Sequence, residues 1–286
     1  MIGQVIRCVD LDRNAYRGYA SHFAVNQRRP TMQSMLENSK SPAALITGAS
    51  RRIGRAIALD FAHAGWNLAL HYNSSMADAE QLATEVRCLG VRAAVVQADL
   101  CNADDVMSLI SRSVAALGTL TCLINNASMF EFDQAATLTP AALDRHLAVN
   151  LTAPVLLAQG FAAQVPDGVE GNIINIIDQR AWATTPEYFS YSLSKTALWS
   201  ATRMLAQAYS PRLRVNAIGP GPALRSVHQR PGDFEAEAAG TLLRRGTNPE
   251  QIARAIRFIL DAPAMTGQMI ALDGGQHLRW FPEVVP

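Results

Sequence analysis

A chain of 286 residues with a formal net charge of +1 is large enough to bury the core of one generous α/β domain, and it has no charge excess to attract nucleic acid or an anionic membrane. Hydrophobic residues make up 49%, yet no run reaches the roughly 18 consecutive apolar residues that a membrane-spanning helix needs. A small-molecule partner and a cytoplasmic location are expected, with neither nucleic acid nor membrane. Cys8, Cys88, Cys101 and Cys122 are scattered without a CxxC pair, which fits reduced thiols, and the histidines show no metal-ligand spacing.

Residues 1–40 come first in the chain, with Arg7, Arg13, Arg17, Arg28 and Arg29 among polar residues and no sustained hydrophobic period. They read as a flexible extension. Their basic, acid-poor character permits a transit peptide, and a start at Met32 or Met35 fits equally well. From Ala43 onward, short apolar runs alternate with helical patterns, the signature of βαβ units and a parallel sheet buried on both faces. Strands are predicted at Ala43–Thr47, Asn67–His71, Ala93–Gln97, Leu120–Ile124, Asn172–Ile177, Arg214–Ile218 and Met269–Leu272. Helices are predicted near 53–64, 76–89, 103–117, 140–164, 189–209 and 249–261. Gly65, Gly90 and Gly118 stop helices, and Asn248-Pro249 starts one. The expected fold is one doubly wound, Rossmann-like domain over 41–286 with a seven-stranded parallel sheet. The stretch 219–247, rich in Gly, Pro and Arg, reads as a mobile substrate loop with one helical turn.

Thr47-Gly48-Ala49-Ser50-Arg51-Arg52-Ile53-Gly54 follows the first strand and opens the first helix, where backbone N–H groups and the helix dipole suit a pyrophosphate. An NAD enzyme carries an acid at the end of the second strand to bind ribose hydroxyls. Here His71-Tyr72-Asn73-Ser74-Ser75 stands instead. With no carboxylate to repel a 2′-phosphate, and with Arg51 and hydroxyl and amide donors at hand, NADP(H) is favoured. Asp99-Leu100, after the third strand, is placed to accept from an adenine amino group; a turn or capping role is the plain alternative.

Tyr191 and Lys195 are four apart on one helix face. A phenol titrates near 10, so it works at neutral pH only beside a stabilising ammonium, which Lys195 supplies. Asp178 ends the fifth strand, thirteen residues before Tyr191, where a buried carboxyl can pass a proton to substrate through Tyr191 or water. Asn150, a polar residue inside the fourth helix, is a candidate for a water-linked proton path to Lys195, with a satisfied buried amide as the plain alternative.

With these residues in view, the chain resembles the short-chain dehydrogenase/reductase family over about 43–280, through the Thr47–Gly54 turn, Asp99-Leu100, Asn125-Asn126-Ala127, Asn150, Tyr191 with Lys195, and Gly219-Pro220-Gly221. Most members have glycine where Arg52 stands and serine where Asp178 stands. Pteridine reductases and bacterial dihydromonapterin reductases are similar to this sequence at both places. That resemblance implies that Tyr191 donates the proton, that Lys195 binds the nicotinamide ribose and lowers the tyrosine pKa, and that Asp178 assists. It implies that Arg52 contacts both cofactor phosphate and pterin, and that Ser128 and Phe130 hold the pterin, Phe130 by stacking. Gly48, Ser50, Ile53, Gly54, Asn126, Ala127, Pro220 and Gly221 complete the implied cofactor site. The family's usual homotetramer is expected, with Arg279 or Trp280 reaching a neighbouring subunit. The expected reaction is hydride transfer from NADPH to a dihydropterin or dihydrofolate; the alternatives are a carbonyl reductase of the same family and a non-catalytic NADPH-binding regulator.

Overall fold

Seven strands, all parallel, hydrogen-bond in the order β3-β2-β1-β4-β5-β6-β7. They are β1 (Ala43–Ile46), β2 (Asn67–Tyr72), β3 (Ala93–Gln97), β4 (Cys122–Asn125), β5 (Gly171–Ile176), β6 (Leu213–Pro220) and β7 (Met269–Leu272). The computed structural model describes residues 41–225 and 229–278. The expected extension over 1–40, together with Arg279 and Trp280, lies outside the described residues.

Helices cover both faces, so the central strands are buried along nearly their whole length, including the polar Asn175 of β5 and Arg214 and Asn216 of β6. On β1, Ala44 and Ile46 enter one core with Ile57, Phe61, Leu82 and Ile256. Ala43 and Leu45 enter the other with Leu109, Leu157, Phe161 and Val215. The first core belongs to α1 (Arg52–His63), α2 (Met76–Cys88) and α8 (Pro249–Leu260). On α1 the buried Gly54, Ile57, Ala58, Phe61 and Ala62 recur at helical spacing, giving a stripe that can face only the sheet. The second core belongs to α3 (Ala103–Leu117), α5 (Ala153–Gln164) and α6 (Phe189–Tyr209). Asn102 and Asn248 cap α3 and α8 by accepting from backbone N–H groups, the latter with Pro249 in the first turn as expected.

Two expectations need correction. The helix predicted over 140–164 is α4 (Pro140–Leu147), a π turn at Ala148–Thr152 and then α5. Pro154 is the cause: it has no N–H to give the carbonyl of Asn150 four residues earlier, and the ladder widens so that Ala153 N–H bonds Ala148 O. Pro140–Gln164 is long and apolar enough to cross a membrane by length and composition, but Leu157, Ala158 and Phe161 are buried in the sheet's own core. The stretch after β6 contains a helix, α7 (Asp233–Ala239), rather than one turn, and β6 itself runs on to Pro220, in register with Leu272.

The order of strands places a switch point between β1 and β4, from which the crossovers depart in opposite directions. His71, 2% exposed, binds the structure together there. Its Nδ1 accepts from Gly48 N–H at 3.0 Å, and its Nε2 lies 3.1 Å from Ala98 O, an arrangement that suits a neutral ring. Burial pushes the imidazole down from 6.5 to about 4, against a smaller opposing pull from the Ala98 carbonyl. Folding therefore favours the neutral form, a contribution fully present above about pH 6.5 and lost as pH falls through about 4, on the order of 3 kcal/mol in all. In urea titrations between pH 7 and pH 4, wild type is expected to lose about that much more stability than His71→Asn. Parallel pH dependence in the two proteins would exclude this role for His71.

Candidate active site

The carboxyl ends of β1, β4, β5 and β6 open into a cleft of about 870 Å³. At its floor, Gly48 has φ +61°, and a Cβ there would stand 3.0 Å from Ala127 Cα. A Cβ on Gly54 would stand 2.2 Å from Gly48 O. Asn126 fixes this approach by donating its side-chain N–H groups to Thr47 O at 2.9 Å and Gly48 O at 3.0 Å. The backbone N–H groups of Asn126 and Ala127 both donate to Thr47 Oγ1, at 2.9 and 3.0 Å. No side chain caps α1, and its first turn holds no acid, so its positive end faces the cleft. The turn thus fits a diphosphate, with room that only glycine leaves.

Every residue expected in the site lines this cleft except Asn150, which stands behind it. Asn150 Oδ1 accepts from Met129 N–H at 2.8 Å, and its Nδ2 donates to Met129 O and Ser194 Oγ at 3.0 Å each. Its side chain is thus the satisfied buried amide of the plain alternative. It anchors the segment carrying Ser128 and Phe130, while Lys195 Nζ donates to Ile176 O at 2.8 Å. His71 likewise supports the turn through Nδ1 and ties it through Nε2 to Ala98 at the end of β3. Arg51 pairs with Asp78 on the exposed rim, and Ser50 shares a 2.7 Å hydroxyl contact with Ser75. Arg52, at φ +54°, donates to the carbonyls of Arg225 at 2.8 Å and Leu224 at 3.3 Å. It thereby ties the phosphate turn to the segment after β6. Asp99 Oδ1 accepts from Cys101 N–H at 3.0 Å, and the buried Leu100 follows it.

At the other end, Tyr191 donates its hydroxyl to Asp178 Oδ2 at 2.8 Å. Burial, and after it the charge and hydrogen bond of Asp178, hold the phenol well above its usual value. This reverses the expected lowering by Lys195, whose Nζ is 5.7 Å from the Tyr191 ring centroid. Lys195 is itself depressed by burial to about 8, with Asp178 opposing. Phe130 meets Tyr191 edge-on at 4.6 Å and is stacked by Tyr188 at 4.4 Å with planes 10° apart.

Tyr188, Arg180, Phe234 and Glu237 also line the cleft without having been singled out from the sequence, and Gln276, from the terminal Asp273–Arg279 stretch that is similar to the dihydromonapterin reductases, lines it with them. Arg180 had a signal, lying two residues past Asp178 at the strand end. Those around α7 had none, because no period marks that stretch. Asp133 was also missed: its buried carboxylate accepts from Ser190 N–H at 3.0 Å and from the Ser190 hydroxyl, pinning the start of the helix that carries Tyr191.

The family model described as enoyl-(acyl carrier protein) reductase matches residues 48–277. The chain belongs to the short-chain dehydrogenase/reductase family. Members of this family are oxidoreductases. A solved structure of FolM alternative dihydrofolate reductase 1 from Brucella canis, complexed with NADP, shares 46% identity at a TM-score of 0.83, covering 86% of this chain and 97% of that one. That likeness fits the pteridine reductase-like subgroup. An uncharacterised oxidoreductase from Methylorubrum extorquens is 33% identical over 240 residues, 81% of this chain and 96% of the relative. The 3-oxoacyl-[acyl-carrier-protein] reductase FabG of Staphylococcus aureus is 30% identical over 242 residues, 82% of this chain and 98% of its own.

Removing the Asp133 carboxylate leaves buried donors of Ser190 without a partner, which costs about 1–3 kcal/mol. Asp133→Ala is expected to lower folding stability by that amount in urea unfolding, and a change below about 0.5 kcal/mol would contradict the assignment.

Proposed function

We propose that this protein is an NADPH-dependent reductase that delivers hydride to the C=N bond of a dihydropterin or dihydrofolate, giving the tetrahydro form. The observation that carries the reading is the 2.8 Å hydrogen bond from Tyr191 to Asp178, a carboxyl where most of the family has serine. The similarity to an NADP-complexed alternative dihydrofolate reductase supports it.

The backbone of the Gly48–Gly54 turn and the N-terminus of α1 would hold the cofactor diphosphate, and Asp99 the adenine. Lys195 would hold the nicotinamide ribose. Tyr72, Asn73 and Ser74 set no carboxylate against a 2′-phosphate, and Arg51 can exchange Asp78 for it. When bound, NADPH supplies the hydride. Tyr191, neutral at any physiological pH, offers the proton that an imine-like nitrogen needs as hydride arrives. Asp178 receives the phenol's hydrogen bond and, after the transfer, would relay a proton taken up from solvent water back to the phenolate, while Phe130 and Ser128 grip a flat ring. Gln276 lines the same cleft with a buried Oε1 that has no partner among the described residues, an acceptor suited to the N–H groups of a pterin. A simple ketone brings no such donor. Arg52 would position the ring through the segment it holds. Assembly as a homotetramer belongs to this reading, with the exposed Leu193 and Met204 of α6 available for burial.

The similarity to FabG favours a second reading, reduction of a carbonyl. Loss of NADPH absorbance with dihydrobiopterin, dihydromonapterin, dihydrofolate and simple ketones separates the two. Turnover of pterins is expected; turnover of ketones alone would discard the first reading. Tyr191→Phe is expected to lose about 10²- to 10⁴-fold in kcat. Arg51→Gln is expected to raise KM for NADPH about tenfold while leaving KM for NADH nearly unchanged, and equal effects on both would remove Arg51 from the 2′-phosphate site.

A further inference from the structure

The site contains a charge problem that serine would not create. A carboxylate 2.8 Å from a phenol opposes loss of the phenolic proton, because that step leaves two oxyanions in contact in a buried site. Tyr191 can act as the donor, as the reading above requires, only beside a compensating cation. Lys195 is one cation, but its Nζ is turned to Ile176 O and stands 5.7 Å from the phenol ring.

Arg180 is closer to the carboxylate. Its Nη1 lies 3.3 Å from Asp178 Oδ2, the same oxygen that receives the Tyr191 hydroxyl, and its backbone N–H donates to Oδ1 at 2.8 Å. One residue therefore holds both oxygens of Asp178. The guanidinium side chain is 19% exposed and lies 5.8 Å from the Phe130 ring centroid and 5.5 Å from that of Tyr188. Tyr188 at the N-cap of α6, and Tyr191 and Lys195 on the helix itself, face the pair. Glu237 on α7 acts on Arg180 from across the cleft, its carboxylate engaged by Gln229 and Gln276. Asp178 is the acid in direct contact with Arg180 among the described residues.

We propose that Arg180 is a positioning residue, the counter-cation that turns Asp178 Oδ2 toward Tyr191 and lets a carboxylate occupy the family's serine position without disabling the phenol as a proton donor. The proposal rests on Tyr191 being that donor. It predicts that Arg180 matters only while Asp178 is present.

The test is a cycle of Arg180→Gln, Asp178→Ser and the double variant, with kcat/KM followed across pH on the best substrate of wild type. Arg180→Gln is expected to lose at least about tenfold at neutral pH. The limb of the profile that Asp178→Ser abolishes should move to higher pH in Arg180→Gln, because a carboxylate without its cation keeps a proton longer. Arg180→Lys should recover part of both effects, and Arg180→Gln should cost less than about twofold when made in Asp178→Ser. Equal losses in both backgrounds, or an unshifted profile, would overturn the proposal. If Arg180→Gln does not fold, Arg180→Lys in the two backgrounds makes the same comparison. If wild type reduces ketones and no pterin, the pterin reading fails, and the same cycle on the ketone still decides the role of Arg180.

Discussion

The close backbone approach at the β1–β4 switch point is the constraint on which the rest of the structure depends. Opposite crossovers leave a crevice there, and the chain must close its floor without filling it. Gly48 and Gly54 supply the room, and Thr47, Asn126 and His71 hold it open by bonding three strand ends to one turn. Thr47 and His71 are buried, Asn126 is partly so, and all three are paired, so the floor is rigid before any ligand arrives. The helix that begins at Arg52 then points its dipole into a cavity whose shape is already set.

From that floor, the chemistry is arranged by strand ends. Asp178 follows β5, the Phe130 segment follows β4, and Gly221 follows β6, which ends at Pro220. The helix bearing Tyr191 and Lys195 is placed by Asp133 at its start and by Asn150 bonding Ser194 beside Lys195. Asn150 occupies that position because Pro154 breaks the helical ladder at its carbonyl, so one missing N–H shapes the wall behind the site. The same logic governs charge. Asp178, Arg180 and Lys195 surround one phenol, and a change to any of them alters the proton affinity of the others.

The architecture was legible in the sequence because parallel strands covered on both faces must be continuous apolar runs. The intervening helices must carry apolar stripes, and their caps are local. No strand end moved by more than two residues. The π turn was hidden because Pro140–Gln164 reads as one continuous run of helix-compatible residues and only the proline marks the defect. α7 was hidden because a seven-residue helix with no buried residue leaves no stripe to read.

By itself, the sequence determined the fold, the phosphate turn and the identity of the Tyr191, Lys195 and Asp178 trio, since each depends on short-range spacing. Tertiary structure alone decided what these groups do to one another. Proton affinity in a buried site is set by distances of a few ångströms between residues brought together from different strands, and by the water each has lost. That is why the phenol is raised rather than lowered, why His71 is a neutral strut, and why Arg180 shares an oxygen with Tyr191.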